Sequence, residues 1–460
     1  MPNKPSTVHV VHCIDTEGPL HESVPATFER LASIFGIELE PSRALLEQLQ
    51  AGTVDLGGIE GEVRKVVDPH LLEYNDTWDK VDTMLHRIMA EEFRSRVVDS
   101  FGGGWVYSWF CLDHIGYGEN PRRRDMGYGN VFSHYRQMLV ETDSRQDELH
   151  FHFHPHNFRH EAHRCATHWW ANSDSLYQIL CRRIIDHGWF PVANRPGFHV
   201  TRPDSHWFLE QFIPFDFANQ ALVGGEEDKQ ADLRGGRFGD WRRAPADWQP
   251  YHPSADDYQV PGDCRRWVAR CLNVGTRFGL ITQDDVDQAF KEALEGKPVV
   301  LAVTNHDFRD MAPDVEMVMG LLDDARRRYP EVPFQYSSAV EAMRGALDLP
   351  YQKPCELDIA MEASGRNGEM IVRSHTATFG PQPWLSIKTH SGQYLHDNFD
   401  IDTPFHEWRY FFDDTTVPLD SVETIGVASN NAYGSTTIIR LDVRTGEIAR
   451  SELGDRRTGE

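Results

Sequence analysis

The sequence predicts an α/β architecture built on a parallel sheet, followed by a smaller all-β domain. Three observations carry this. Seven mainly apolar runs recur between residues 7 and 339, with helical patterns between them. Runs of that kind suit parallel strands covered on both faces. Beyond residue 350 the pattern changes to short alternating runs broken by Gly, Asn, Asp and Pro, as in an antiparallel domain.

In chain order the candidate strands are TVHVVHCID (7–15), WVYSWFCLD (105–113), ELHFHFHP (148–155), WFPVANRPG (189–197), IPFDFANQ (213–220), PVVLAVTNHD (298–307) and PFQYSSA (333–339). Among the helices, Ser173 or Asp174 can cap a segment with Leu176, Ile179, Leu180 and Ile184 at helical spacing, and Gly188 stands at its end. Thr282 can cap a second, striped by Val286, Phe290 and Leu294 and stopped at Gly296. A third places acids first and Arg326, Arg327 and Arg328 last, as the helix dipole favours. Such alternation fits a doubly wound sheet and a closed barrel alike. Residues 18–104 and 221–265 are long excursions, the second a candidate lid or substrate loop. Two domains are expected: 1–348 with those insertions, and a small β-sandwich over 355–455.

Of 460 residues, 40% are apolar, enough for a substantial core. A net charge of −25 would repel phosphate backbones, so a nucleic-acid role is not expected. The seven cysteines are scattered, odd in number and lack CxxC spacing, which predicts reduced thiols and a cytoplasmic location. Neither a secretory leader nor a membrane span is expected.

Polar residues cluster where the apolar runs end. Asp15 and Glu17 follow the first, Asp113 ends the second, and His150, His152, His154 and His156 run through the third. Arg195 ends the fourth, Asp216 and Asn219 the fifth, and His306–Asp307 the sixth. In barrels and open α/β sheets the site lies beyond the C-terminal strand ends. Histidines at alternate positions of a strand point to one side. With a carboxylate they form a donor set for a divalent ion, Zn²⁺ first among the candidates. Two acids two apart can divide labour, one holding metal and one taking a proton from water. His306 can protonate a leaving group with Asp307 or another acid holding its ring, and Arg195 can orient a carboxylate. His160, His163 and His168 read as ordinary surface or helix-contact residues. Trp105, Trp109, Trp169, Trp170, Trp241 and Trp248 can stack on sugar faces, though most are expected to pack in the core.

These pieces, in this order, resemble the polysaccharide-deacetylase (NodB-homology) family of carbohydrate esterases. The carriers are the acid-x-acid pair in IDTEG, the histidines and proline of HFHFHP (150–155), RPGF (195–198) and VTNHD (303–307). The resemblance implies a distorted (β/α)7 barrel and a metal-dependent hydrolase acting on C–N bonds. The expected substrate is an N-acetylated or otherwise N-acylated sugar or glycosylated metabolite. It further implies Asp15 as general base, Glu17, His150 and His154 as metal ligands, Arg195 orienting the base, and His306 as general acid. Phe151 replaces the usual hydroxyl residue and Glu17 the usual Asp, so Asp15 and Glu17 can exchange roles. His152 and His156 offer competing ligand pairs, and Asp113 is an additional acid for substrate or metal. Two other readings stay open: hydrolysis of a non-sugar cyclic or linear amide, and a non-catalytic glycan-binding barrel. Self-association is also open.

Overall fold

The computed structural model describes residues 4–157, 160, 169–224, 239–276 and 280–454. His163, His168 and Cys165 lie outside them. The barrel strands are β1 (Val8–Thr16), β2 (Tyr107–Cys111), β3 (Glu148–Phe153), β4 (Ala193–Pro196), β5 (Phe215–Asn219), β6 (Trp267–Asn273) and β7 (Val299–His306). All pair in parallel, and β1 bonds both β7 and β2, which closes a seven-stranded barrel. A short β8 (Phe334–Tyr336) pairs with Val8–Val10, below the stretch His12–Thr16 that pairs with β2. One edge of β1 is thus shared between two partners.

The expected α/β barrel with a β domain is the observed fold, with one strand redistributed. β6 was not among the seven runs. Its sequence, WVARCLN, carries a mid-strand arginine that masks the apolar pattern. Arg270 points outward, where Nη2 meets Asp285 at 3.0 Å and the guanidinium lies over Trp248. The run at 333–339 forms β8 instead.

Inside the barrel, Val11, Cys13, Phe110, Phe215, Phe217, Ala269, Cys271, Val300 and Ala302 form one cluster. Small residues on several strands leave room for the phenyl rings. Helix α12, which follows β8, closes the lower end through Ala339, Val340, Ala342 and Met343 of the same cluster. Outward-facing residues such as Val10, Trp109, Phe151 and Val303 pack beneath the surrounding helices.

The excursion after β1 contains α1 (Val24–Phe35), α2 (Arg43–Ala51), α3 (Glu60–Val66), α4 (Pro69–Leu72), α5 (Trp78–Met89) and α6 (Glu91–Arg94). The other helices are α7 (Asn130–Glu141), α8 (Ser173–His187), α9 (Pro203–Phe212), α10 (Gln283–Leu294), α11 (Ala312–Arg328) and α12 (Ala339–Ala346). Thr282 caps α10 in a capping box with Asp285, and Gly188 ends α8 in the left-handed conformation. Neither Ser173 nor Asp174 caps α8; Asn172 stands at that position without a side-chain capping bond.

The C-terminal region has an antiparallel sheet of β9 (Leu357–Ser364), β10 (Asn367–Ser374), β13 (Asp400–Thr403) and β14 (Glu407–Phe412). A second holds β11 (Trp384–Thr389), β12 (Tyr394–Asp397), β15 (Val422–Asn430), β16 (Thr436–Asp442) and β17 (Ile448–Leu453). Their facing residues, including Met370, Val372, Leu385, Ile387, Trp408, Ile425 and Ile439, form a separate core. The alternate residues of β11 face the barrel, as strand periodicity requires. Trp384 stacks on His396 at 3.7 Å and meets Phe212 at 5.1 Å. A Cβ on Gly426 would sit 2.6 Å from Ile184, so glycine there lets α8 approach the sheet.

The six described cysteines are buried and free. Among the described residues no helix is long and apolar enough to cross a membrane.

Candidate metal centre

The C-terminal strand ends bring Asp15, Glu17, His152, His154, Arg195 and His306 together. Parallel register aligns them: Asp15 lies opposite His306 on β7, and His152 opposite Arg195 on β4. Glu17 follows β1 in a turn that needs Gly18. Gly18 has φ +69°, and a Cβ there would lie 2.8 Å from Trp78. Asp307 fixes this turn by accepting from Glu17 N at 2.9 Å and Gly18 N at 2.8 Å, with the Tyr135 hydroxyl donating at 2.8 Å. Burial pushes Asp307 up to about 7 despite those bonds.

Glu17, His152 and His154 offer ligand atoms all within 4.8 Å of one another. His152 Nδ1 lies 2.7 Å from the Arg195 carbonyl oxygen. A carbonyl only accepts, so Nδ1 carries the proton and Nε2 keeps its lone pair. That Nε2 faces His154 Nε2 at 2.8 Å, and His154 Nε2 is 3.7 Å from Glu17 Oε1. Burial lowers His152 to about 4 and His154 well below its ordinary value, so both rings are neutral and able to ligate. Two imidazoles and a carboxylate oxygen form a donor set that suits zinc and other divalent ions. Glycine at 197 is required by close approach, because a Cβ there would overlap the His154 ring.

Beside this group, Arg195 Nε donates to Asp15 Oδ1 at 2.5 Å, and the remaining guanidinium nitrogens reach the Phe217 carbonyl and His199. Burial pushes Asp15 up to about 6 against the pull of Arg195. His306 Nε2 lies 3.7 Å from Asp15 Oδ2 and 3.8 Å from Glu17 Oε1. Burial, then Arg309 and Arg195, hold His306 well below its ordinary value.

Several expected residues sit elsewhere. His150 shares the inward face of β3 but lies one layer deeper, its ring 4.9 Å from Phe110 and Nε2 3.2 Å from Glu148. It is not a member of the ligand group. His156 also stands outside it, against Tyr117 and His160. Asp113 turns away to α8, with Oδ2 2.8 Å from Arg183 and Oδ1 accepting from Gly129 N. It lies two residues beyond the end of β2, and Arg183 holds it as a buried ion pair. Asp307 braces the β1 turn rather than the His306 ring, whose Nδ1 has no hydrogen-bond partner among the described residues. Asp216 faces outward toward Arg266 and Asn194, and Asn219 holds the loop at Pro245 and Ala221. Of the six tryptophans singled out, Trp170 alone is exposed.

Sequence reasoning missed Arg124, whose Nη2 is 2.5 Å from Glu17 Oε2, and His199, which receives Arg195. The only local signal for Arg124 was the arginine triplet at 122–124, in a loop with no strand to anchor it. No family model matches the chain, and no curated protein or solved structure matches it either.

Proposed function

We propose that the protein is a metal-dependent hydrolase of the polysaccharide-deacetylase type, removing an N-acyl group from a sugar or glycosylated metabolite. The observation that supports this reading is the convergence of an N,N,O ligand group with an arginine-held carboxylate and a histidine at one barrel mouth. A divalent ion held by Glu17, His152 and His154 would polarise the acyl carbonyl and acidify water.

The chain's own residues handle the proton. Asp15 takes one proton from water, and the oxygen adds to the acyl carbon. Arg195 fixes the orientation of that carboxylate through Nε. His306, neutral at rest, takes that proton on Nε2 from Asp15, whose Oδ2 is 3.7 Å away, and passes it to the departing nitrogen as the C–N bond breaks. The products are a free amine and a carboxylic acid, with no net proton left on the protein pair.

The test is metal analysis of the purified protein beside acetate release from N-acetyl sugars, for wild type, His154→Ala and Asp15→Asn. The expected result is metal in wild type, its loss in His154→Ala, and a kcat lower by ~10²–10⁴-fold in Asp15→Asn. Unchanged metal in the first variant or full turnover in the second would remove the reading.

A further inference from the structure

The rim of this mouth carries positive charge that bond cleavage does not use. Arg30, Arg122, Arg124 and Arg309 gather beside it around two glutamates. Glu22 Oε2 serves two of them, with Arg30 Nη2 at 2.6 Å and Arg122 Nε at 3.7 Å. Glu17 holds Arg124. Arg309 makes no ion pair among the described residues. Its Nη2 donates to the Gly275 carbonyl at 3.1 Å and Nη1 approaches that of Leu71 at 3.4 Å. The Tyr74 hydroxyl is hydrogen-bonded to Arg309, and Asp314, bound by Asn305 at 2.9 Å, acts on it from beyond ion-pair reach.

Two of these cations are built around one ring. Arg124 Cζ and Arg309 Cζ each lie 5.1 Å from the Phe308 centroid. His306 stacks on the same ring at 4.6 Å. Arg309 is buried, and among the described residues Arg124 Nη1 is a buried donor with no hydrogen-bond partner. Burying a guanidinium without an anion is costly. The surplus also opposes the sign of the whole chain, whose net charge is −25. A cation on Glu17 would compete for the carboxylate on which Arg124 leans and enlarge the surplus.

We propose that this mouth selects acyl-amide substrates bearing a carboxylate or phosphate, which Arg124 and Arg309 receive beside Phe308. The amide part rests on the hydrolase reading; the anion part rests on the arginines alone.

Calorimetric binding and acetate release are measured on the full chain with N-acetylglucosamine, its 6-phosphate and N-acetylglucosaminuronate. At least one charged probe is expected to bind ~10–100-fold more tightly than the neutral sugar, as charge-assisted hydrogen bonds provide. Which one binds separates phosphate from carboxylate. The preference should shrink as salt rises, fall below ~3-fold in Arg309→Met, and return in part in Arg309→Lys. Arg124→Met, judged by circular dichroism to be folded, is the second variant should Arg309→Met not fold. Equal binding of neutral and charged probes, no binding of either charged probe, or a preference unchanged in both methionine variants overturns the proposal. Anion preference without acetate release removes the hydrolase reading and keeps this one. Release without preference does the reverse.

Discussion

His150 and His152 stand two residues apart on one strand and point into the same barrel, yet their surroundings have little in common. His150 lies against Phe110, which clusters with Phe217, Cys13 and Cys271. His152, one step nearer the mouth, meets Asp15, His154 and the Arg195 carbonyl. The strand's period of two gives both the same direction; depth along the strand gives them different neighbours. In the lower layer an imidazole is filling, and in the upper one it has a fixed tautomer and an available lone pair.

The largest expected effect falls on the upper layer. Glu17→Gln should lower kcat by at least ~10²-fold with the chain still folded, read by steady-state acetate release and thermal unfolding. Loss of folding along with activity would erase the division between the layers. Next comes Asp113, a strand-end acid that the structure assigns to stability. Asp113→Ala leaves Arg183 buried without its partner and should cost about 3–5 kcal/mol in urea unfolding. Residual turnover per folded molecule should stay within a few-fold of wild type.

A smaller effect is expected in the lower layer. His150→Leu should retain metal at the wild-type ratio and change stability by less than about 1.5 kcal/mol, because the ring is buried against phenyl and neither ring nitrogen has a hydrogen-bond partner among the described residues. Loss of metal in this variant would return His150 to the ligand set.

At neutral pH the smallest effect concerns His396, a half-buried imidazole that sits where the β domain meets the barrel. Burial lowers it to about 4, with Nδ1 donating to the Leu385 carbonyl. A lowered histidine is neutral in the folded chain while the unfolded chain takes up a proton below its ordinary value of 6.5. Its contribution is therefore complete above about pH 6.5 and lost as pH falls toward 4. His396→Phe should flatten the stability profile in that window by about one proton, and an unchanged slope would place the titration elsewhere.

Much of this was legible from sequence where a residue's role follows from strand direction. Asp15, Glu17, His154, Arg195 and His306 sit at ends of apolar runs, and parallel strands deliver such ends to one rim. What could not be read was depth and partnership. HFHFHP gives each histidine the same direction but does not say at which layer the barrel stops being apolar, so His150 and His152 were interchangeable. Asp113 resembled Asp15 until α8 supplied Arg183. β6 was hidden because its outward arginine is satisfied by Asp285, a tertiary pairing that strand patterns do not record. Arg124 reaches Glu17 from a loop, whose path no local propensity determines.

The divided edge of β1 bears on how the molecule opens. With β7 along one side and β8 then β2 along the other, β1 has no free edge over most of its length. In a deuterium-exchange experiment its amides should be among the last to exchange, through global rather than local opening. Asp15 and the turn into Glu17 would then keep their placement for as long as the barrel is folded, while the loop bearing Arg124 exchanges on a faster clock.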